Sequence, residues 1–329
     1  MKAVVIEGVG GPEVLQIRDV PTPEPGTDQV RVRVRAAGVN RADLMQARGH
    51  YPAPEGAPAD IPGLEYAGEV DKLGPGVTGG LKPGDRVFGI ASGGCQAEYV
   101  VVHARMTVPI PANLDFEGAA AVHEAFITAH DALESRACAR PGERVLIHAI
   151  GGGVGSAAVQ LAHAMGCTVF GTSRTADKLA QARELGLGLD VAIDSTNDDF
   201  AEAVARATAG AGVHAVIDHL GGPALEGNVN ALAVKGRMVV VGLLGGSVGT
   251  IDLGLVLMKR LTIVGTALRS RPFEEKVVAT RAFAERVVPW LERGLVRPLV
   301  DRVYPLEDVA KAYERVRSNL GFGKVVLRV

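Results

Sequence analysis

Residues 145–166, VLIHAIGGGVGSAAVQLAHAMG, decide the fold. The apolar run Val145–His148 meets a glycine cluster and then a stretch rich in Ala, Val and Leu, which reads as strand, tight turn and helix. Glycines let a backbone turn sharply and approach a pyrophosphate, whose charge is then held by unpaired N–H groups at the helix start. The spacing departs from GxGxxG: after Gly151 and Gly153, Ser156 stands where the third glycine belongs. Gly152, Gly153, Val154 and Gly155 instead fit an A-x-x-G-G-V-G variant starting at Ala149. A flexible turn without a ligand would also carry such a cluster, so the surroundings must decide.

Downstream, Thr168–Gly171, Val191–Ile193, Ala215–Asp218, Met238–Val241 and Leu261–Val264 are apolar runs separated by helical patterns. That alternation predicts βαβ units and a doubly wound parallel sheet, in which a glycine turn after the first strand binds a dinucleotide. The exposed edge of the last strand predicts pairing of two subunits as a homodimer. Upstream, QVRVRVRAAGV alternates charged and branched residues as a half-buried strand does, between Pro/Gly-rich loops. The fold expected is α/β, with a β-rich domain over residues 1–117 and 266–329 and a dinucleotide-binding domain over 118–265. The closing strand GKVVLRV is placed back against the N-terminal β-rich part. Phe283, Val287 and Leu291 form one apolar stripe, and Leu306, Val309, Ala310, Tyr313 and Val316 a second.

A chain of 329 residues, 47% hydrophobic but only 4% aromatic, buries an aliphatic core across two domains. A formal net charge of -2 supplies no basic field for a phosphate backbone, so nucleic acid is not expected as the main partner. Cys95, Cys138 and Cys167 are odd in number and lack metal or redox spacing, which suggests a reducing compartment. With no apolar run of membrane-spanning length and no signal-peptide pattern, a cytoplasmic protein is expected.

The second strand of the nucleotide domain ends in Ser173-Arg174, with Lys178 one turn later. NAD-binding folds place an acid about 20 residues after the glycine turn to hold the adenosine ribose hydroxyls. A hydroxyl and two cations provide donors and countercharge for a 2′-phosphate instead, so the stretch points to NADPH. The alternative is that Thr175 caps a helix while Arg174 and Lys178 are solvated.

GVNRADLMQARGHYPAPEG, PGLEYAGEV, LKPGDRVFG, NVNALAVKGRMVVVGLLGG, LRSR and YPLEDVAKAYE…GKVVL, with the glycine turn, resemble the zinc-free quinone oxidoreductases of the medium-chain dehydrogenase/reductase superfamily across essentially the whole chain. Within that group the likeness is to the zeta-crystallin-like members, and GVNRADLMQ and LRSR point to the tumour-suppressor-inducible branch. The resemblance implies a GroES-like catalytic domain interrupted by a Rossmann domain, a cleft between them, and NADPH-dependent reduction of quinones. It also implies that Asn40, Leu64 and Glu124 occupy the places where zinc-dependent relatives hold their metal. Leucine cannot coordinate and Asn is a poor zinc ligand, so no metal is expected; His123 is read as a pocket-lining or satisfied histidine.

Further roles follow from the resemblance alone. Tyr51 would donate a hydrogen bond to the acceptor carbonyl. Asn40 would line the floor, its alternative being a helix N-cap boxed with Asp43. Thr128 would lie near the nicotinamide ribose, Gly242, Leu243 and Leu244 would present backbone to the carboxamide, and Ser195 and Asn319 would complete the cofactor set. Ser195 replaces a tyrosine common in the family, and the adjacent Asp194 adds a negative charge that tempers the NADPH reading. An alkene reductase acting on enals, enones or enoyl thioesters uses the same parts, and a non-catalytic NADPH-binding protein is the alternative of a different class.

Overall fold

The computed structural model describes residues 1–329 and divides into two compact units, Met1–Ile127 with Leu268–Val329, and Thr128–Ala267. The sequence puts the first boundary at residues 117 and 118. Contacts put it at 127 and 128, because the helix Phe116–Ala120 packs on the first unit's strands and Phe126 and Ile127 are buried.

The second unit is a six-stranded sheet with every pairing parallel. In chain order its strands are Arg144–Ile147, Thr168–Ser173, Val191–Asp194, Val213–Asp218, Leu232–Val240 and Thr262–Gly265, and they lie side by side as third, second, first, fourth, fifth, sixth. The sequence locates all six, although the fifth begins at Leu232, ahead of the apolar run that marks it. Helices cover such a sheet on both faces, so its inner strands read as near-continuous apolar runs rather than alternating, Lys235 and Arg237 interrupting the fifth. Leu146, Phe170, Ile193, Val216 and Met238 meet in one core. Strand order reverses between the first and fourth strands, the place where doubly wound sheets receive ligands.

The first unit is an antiparallel-rich sheet organised on Gln29–Val39. Val30, Val32 and Val34 point inward, while Arg31 and Arg35 pair outward with Asp71 at 2.6 Å and Glu69 at 2.7 Å. The closing strand Lys324–Arg328 pairs antiparallel with this central strand, Val325 opposite Val39, as the sequence leads one to expect. That pairing carries Lys324 to the side chain of Asn40. Phe283, Val287 and Leu291 are buried, but their stripe is split between the helices Phe273–Arg286 and Val288–Glu292, with Pro289 in the first turn of the second. Ala310 is exposed and falls outside the second stripe. No helix is long and apolar enough to cross a membrane.

Candidate active site

In the second unit the glycine turn joins the first strand to the helix Gly153–Ala164. Gly152 is the N-cap and offers no side chain, so the first N–H groups of the helix have no capping oxygen. Ala149 holds a left-handed φ of 53°, unusual for a residue with a Cβ, and turns the chain back. Gly155 takes the part of the third glycine, since a Cβ there would fall on the carbonyl oxygen of Ala149 and within 2.9 Å of Ile150 Cα. Ser156 can therefore occupy the standard glycine position, its hydroxyl donating to the Gly153 carbonyl at 3.1 Å. At Gly151 a Cβ would lie 2.5 Å from Lys178 Cδ, a flexible side chain rather than backbone. The lysine stem thus lies across the glycine turn.

Ser173 and Asp194 are register partners on neighbouring strands, and the Ser195 N–H donates to the Ser173 carbonyl at 3.0 Å. Ser173, Arg174 and Ser195 consequently stand together at the strand ends, with Lys178 on the helix Ala176–Glu184. The Thr175 side chain makes no cap bond; Ser173 Oγ accepts the Thr175 N–H at 3.1 Å instead. The Ser173 hydroxyl proton remains free to donate. Asp194 is engaged locally, accepting from Thr196 N at 3.0 Å and Asn197 Nδ2 at 2.9 Å.

Gly242 and Leu244 follow the fifth strand, their N–H groups bonded to the carbonyls of Asp218 and His219, while Leu243 and Leu244 are half exposed. Thr128 is partly exposed at the start of this unit. Sequence reasoning missed buried His148, which ends the first strand with Nδ1 at 2.8 Å from Thr172 Oγ1 and Nε2 at 2.7 Å from Asn228 Oδ1. The amide oxygen only accepts, so Nε2 carries the proton. Burial keeps the ring below its usual pKa and therefore neutral.

The first unit gathers a separate polar cluster. Asn40 precedes the helix Arg41–Ala47, and Asp43 Oδ2 accepts its N–H at 2.7 Å, half of the anticipated capping box. Its side chain is used elsewhere: Nδ2 donates to Glu65 Oε1 at 3.0 Å and Oδ1 accepts from Lys324 Nζ. Glu65 is fully buried and also accepts Lys324 at 2.6 Å and the Glu124 N–H at 2.8 Å. Burial pushes the Glu124 carboxyl up to about 8, with the neighbouring Glu65 adding to the shift. Burial likewise raises Asp43 to about 6, against the N–H groups of Asn40 and Gly63 that it accepts.

Tyr51 is half-buried and its hydroxyl makes no hydrogen bond within the protein. Arg269, the first arginine of LRSR, lies over its ring with Cζ 5.1 Å from the centroid and donates to the Tyr51 carbonyl at 3.1 Å. The same guanidinium donates to Ser92 O and to Gln46 Oε1, at 2.9 and 2.6 Å, which fixes the tyrosine's loop to three points of the unit. Burial raises the phenol's pKa, with Glu124 adding and Arg269 opposing, so at neutral pH Tyr51 is a donor.

Leu64 is buried aliphatic surface, and the Asn40 amide is spent on Glu65 and Lys324. Nowhere do three His, Cys, Asp or Glu side chains gather as a metal site. His123 corrects the sequence reading, being neither pocket-lining nor satisfied. It is fully buried between Phe88 and Phe283, at 4.9 and 4.5 Å, with both ring nitrogens unpartnered, and burial lowers it to about 3. Asn319 sits in a left-handed conformation at the C-cap of the helix Val309–Ser318 and accepts a short hydrogen bond from Arg41.

Residues 26–112 match the alcohol dehydrogenase GroES-like domain and residues 153–285 the domain described as zinc-binding dehydrogenase. The quinone oxidoreductase of Lama guanicoe is 35% identical over 333 residues, covering 99% of this chain and 97% of that protein. The chain belongs to the quinone oxidoreductase family of the medium-chain dehydrogenases/reductases. Family members and neighbours share its whole length in three dimensions. A mycobacterial protein solved in complex with NADPH superposes with a TM-score of 0.90 at 30% identity, covering 100% of both chains. A crystal structure described as an NAD-dependent alcohol dehydrogenase gives 0.88 at 35% identity with the same coverage.

Proposed function

We propose that this family member is an NADPH-dependent, zinc-independent reductase of quinones. The observation that carries the reading is Tyr51, a neutral phenol with an unspent hydroxyl, backed by a buried guanidinium on the unit that matches the GroES-like domain. When bound, NADPH supplies a hydride from its nicotinamide. Gly153 and Val154 offer uncapped N–H groups to the pyrophosphate, and Gly152, whose own N–H donates to Ala149 O at 3.1 Å, presents no side chain in its way. Ser173, Arg174 and Lys178 supply hydroxyl, guanidinium and ammonium donors for the 2′-phosphate, with Ser195 beside them. Thr128, Gly242, Leu243 and Leu244 complete the cofactor set. Asn319 joins it on the family likeness alone, since its amide already serves Arg41.

A conjugated acceptor delocalises the charge it receives, so one oriented donor at its carbonyl suffices in place of a Lewis acid. Tyr51 provides that donor, while Asn40, locked by Glu65 and Lys324, is a fixed neutral wall rather than a proton source. Tyr51→Phe is expected to lower kcat with a simple quinone by about a hundredfold to a thousandfold, the range of one lost hydrogen bond to developing charge. Full turnover in that variant removes the donor role. An activated alkene would be oriented by the same hydroxyl, and product analysis with an enone separates the two acceptors.

We also propose a cytoplasmic homodimer. The edge strand Thr262–Gly265 has one free side, and the neighbouring helix Leu253–Lys259 exposes Leu253, Leu257 and Met258 at 71–76%. Light scattering is expected to give twice the chain mass, and a monomer mass would remove this part.

A further inference from the structure

Arg269 stands on the Tyr51 ring and Lys276 is joined to it through Ser92, and neither makes an ion pair with a carboxylate. Arg269 is 7% exposed and bonds only to neutral acceptors: the carbonyls of Tyr51 and Ser92 and the Gln46 amide oxygen. Lys276, half-buried on the helix Phe273–Arg286, donates to Ser92 Oγ at 2.9 Å. Both cations therefore meet at Ser92, one at its carbonyl and the other at its hydroxyl. Glu274 is held by Arg105 at 2.6 Å, and Asp43, the carboxyl that acts most on Arg269, accepts from the N–H groups of Asn40 and Gly63 and makes no ion pair with the guanidinium. Glu124, the carboxyl that acts on Tyr51, Arg269 and Lys276 alike, is pushed up to about 8 and is mostly neutral at pH 7.

Desolvated cations are costly unless paired. Arg269 uses three of its five N–H donors and Lys276 one of its three. We infer that Lys276, with the fixed charge of Arg269 behind it, forms a subsite for an acidic substituent, so that the preferred acceptors are quinones or enones carrying a carboxylate or sulfonate. This deepens the quinone reading and rests on it for the reaction, but not for the binding. The ammonium contacts the acid directly and the guanidinium contributes field, because its exposed area is small.

Two measurements test it. Calorimetric titration of the full chain with naphthalene-2-sulfonate and with uncharged 2-naphthol needs no turnover. The sulfonate is expected to bind about tenfold tighter, the margin narrowing about tenfold in Lys276→Gln and surviving in Lys276→Arg. Equal binding of the two compounds, or a margin untouched in Lys276→Gln, overturns the subsite. In turnover, the kcat/KM ratio of 1,4-naphthoquinone-2-sulfonate over 1,4-naphthoquinone should fall in step. If the sulfonate binds through Lys276 yet neither quinone is reduced, the subsite stands and the quinone reading falls.

Discussion

A Glu65→Ala variant is expected to lose about 3–5 kcal/mol of stability, the cost of breaking a buried ion pair by removing one partner. Glu65 is fully buried and holds Lys324, the Asn40 amide and the Glu124 N–H together. Without it the Lys324 ammonium, 6% exposed, keeps only Val39 O and Asn40 Oδ1 as acceptors and has no carboxylate in direct contact, Asp43 and Glu124 acting on it only through space. Removing both charges should cost less: Glu65→Gln combined with Lys324→Met retains an acceptor for the amide and N–H without stranding an ion. Urea unfolding followed by circular dichroism reads both. A Glu65→Ala midpoint within error of the wild type would show that the cluster holds nothing together.

Gly155→Ala is expected to be the most damaging single methyl in the glycine turn. Its Cβ would collide with the Ala149 carbonyl and stand 2.9 Å from Ile150 Cα, backbone atoms that no rotamer change can move. Overpacking typically costs about 1–3 kcal/mol. Here the strain displaces the helix start, so NADPH affinity should fall at least tenfold as well. Gly152→Ala is the control, since the nearest atom to its added Cβ is Ala149 O at 3.6 Å and the residue is exposed. That variant should melt with the wild type yet bind NADPH more weakly, because its methyl stands where the pyrophosphate must approach. Equal melting temperatures for the two variants would contradict the packing role of Gly155.

The sheet of the second unit was legible because each strand contains an apolar run and helical patterns separate those runs. The glycine turn was legible as a motif, but not the division of labour within it. Only the folded backbone shows that Gly155 takes the close approach, and that Lys178 folds over Gly151. The first unit was harder to read. Glu65 and Lys324 lie far apart in sequence and meet only because the last strand returns beside the central one. A charged residue at the head of each buried strand, in PGLEYAGEV and GKVVLRV, was the available signal. Arg269 appeared in LRSR without a role, since nothing local to that segment announces the Tyr51 ring. His123 misled because neighbouring Glu124 suggested a polar site, whereas Phe88 and Phe283 enclose it.

The central claim, a reductase whose Ser173–Arg174–Lys178 cluster selects NADPH, is tested most directly by following nicotinamide oxidation with 1,4-naphthoquinone. Wild-type enzyme should oxidise NADPH with a kcat/KM at least tenfold above that for NADH. Arg174→Ala should erase most of that margin through KM, since a charge-assisted hydrogen bond contributes about 1.5–3 kcal/mol, or roughly tenfold to a hundredfold. Equal use of NADH and NADPH by the wild type, a margin unchanged in Arg174→Ala, or no oxidation of either cofactor would contradict it.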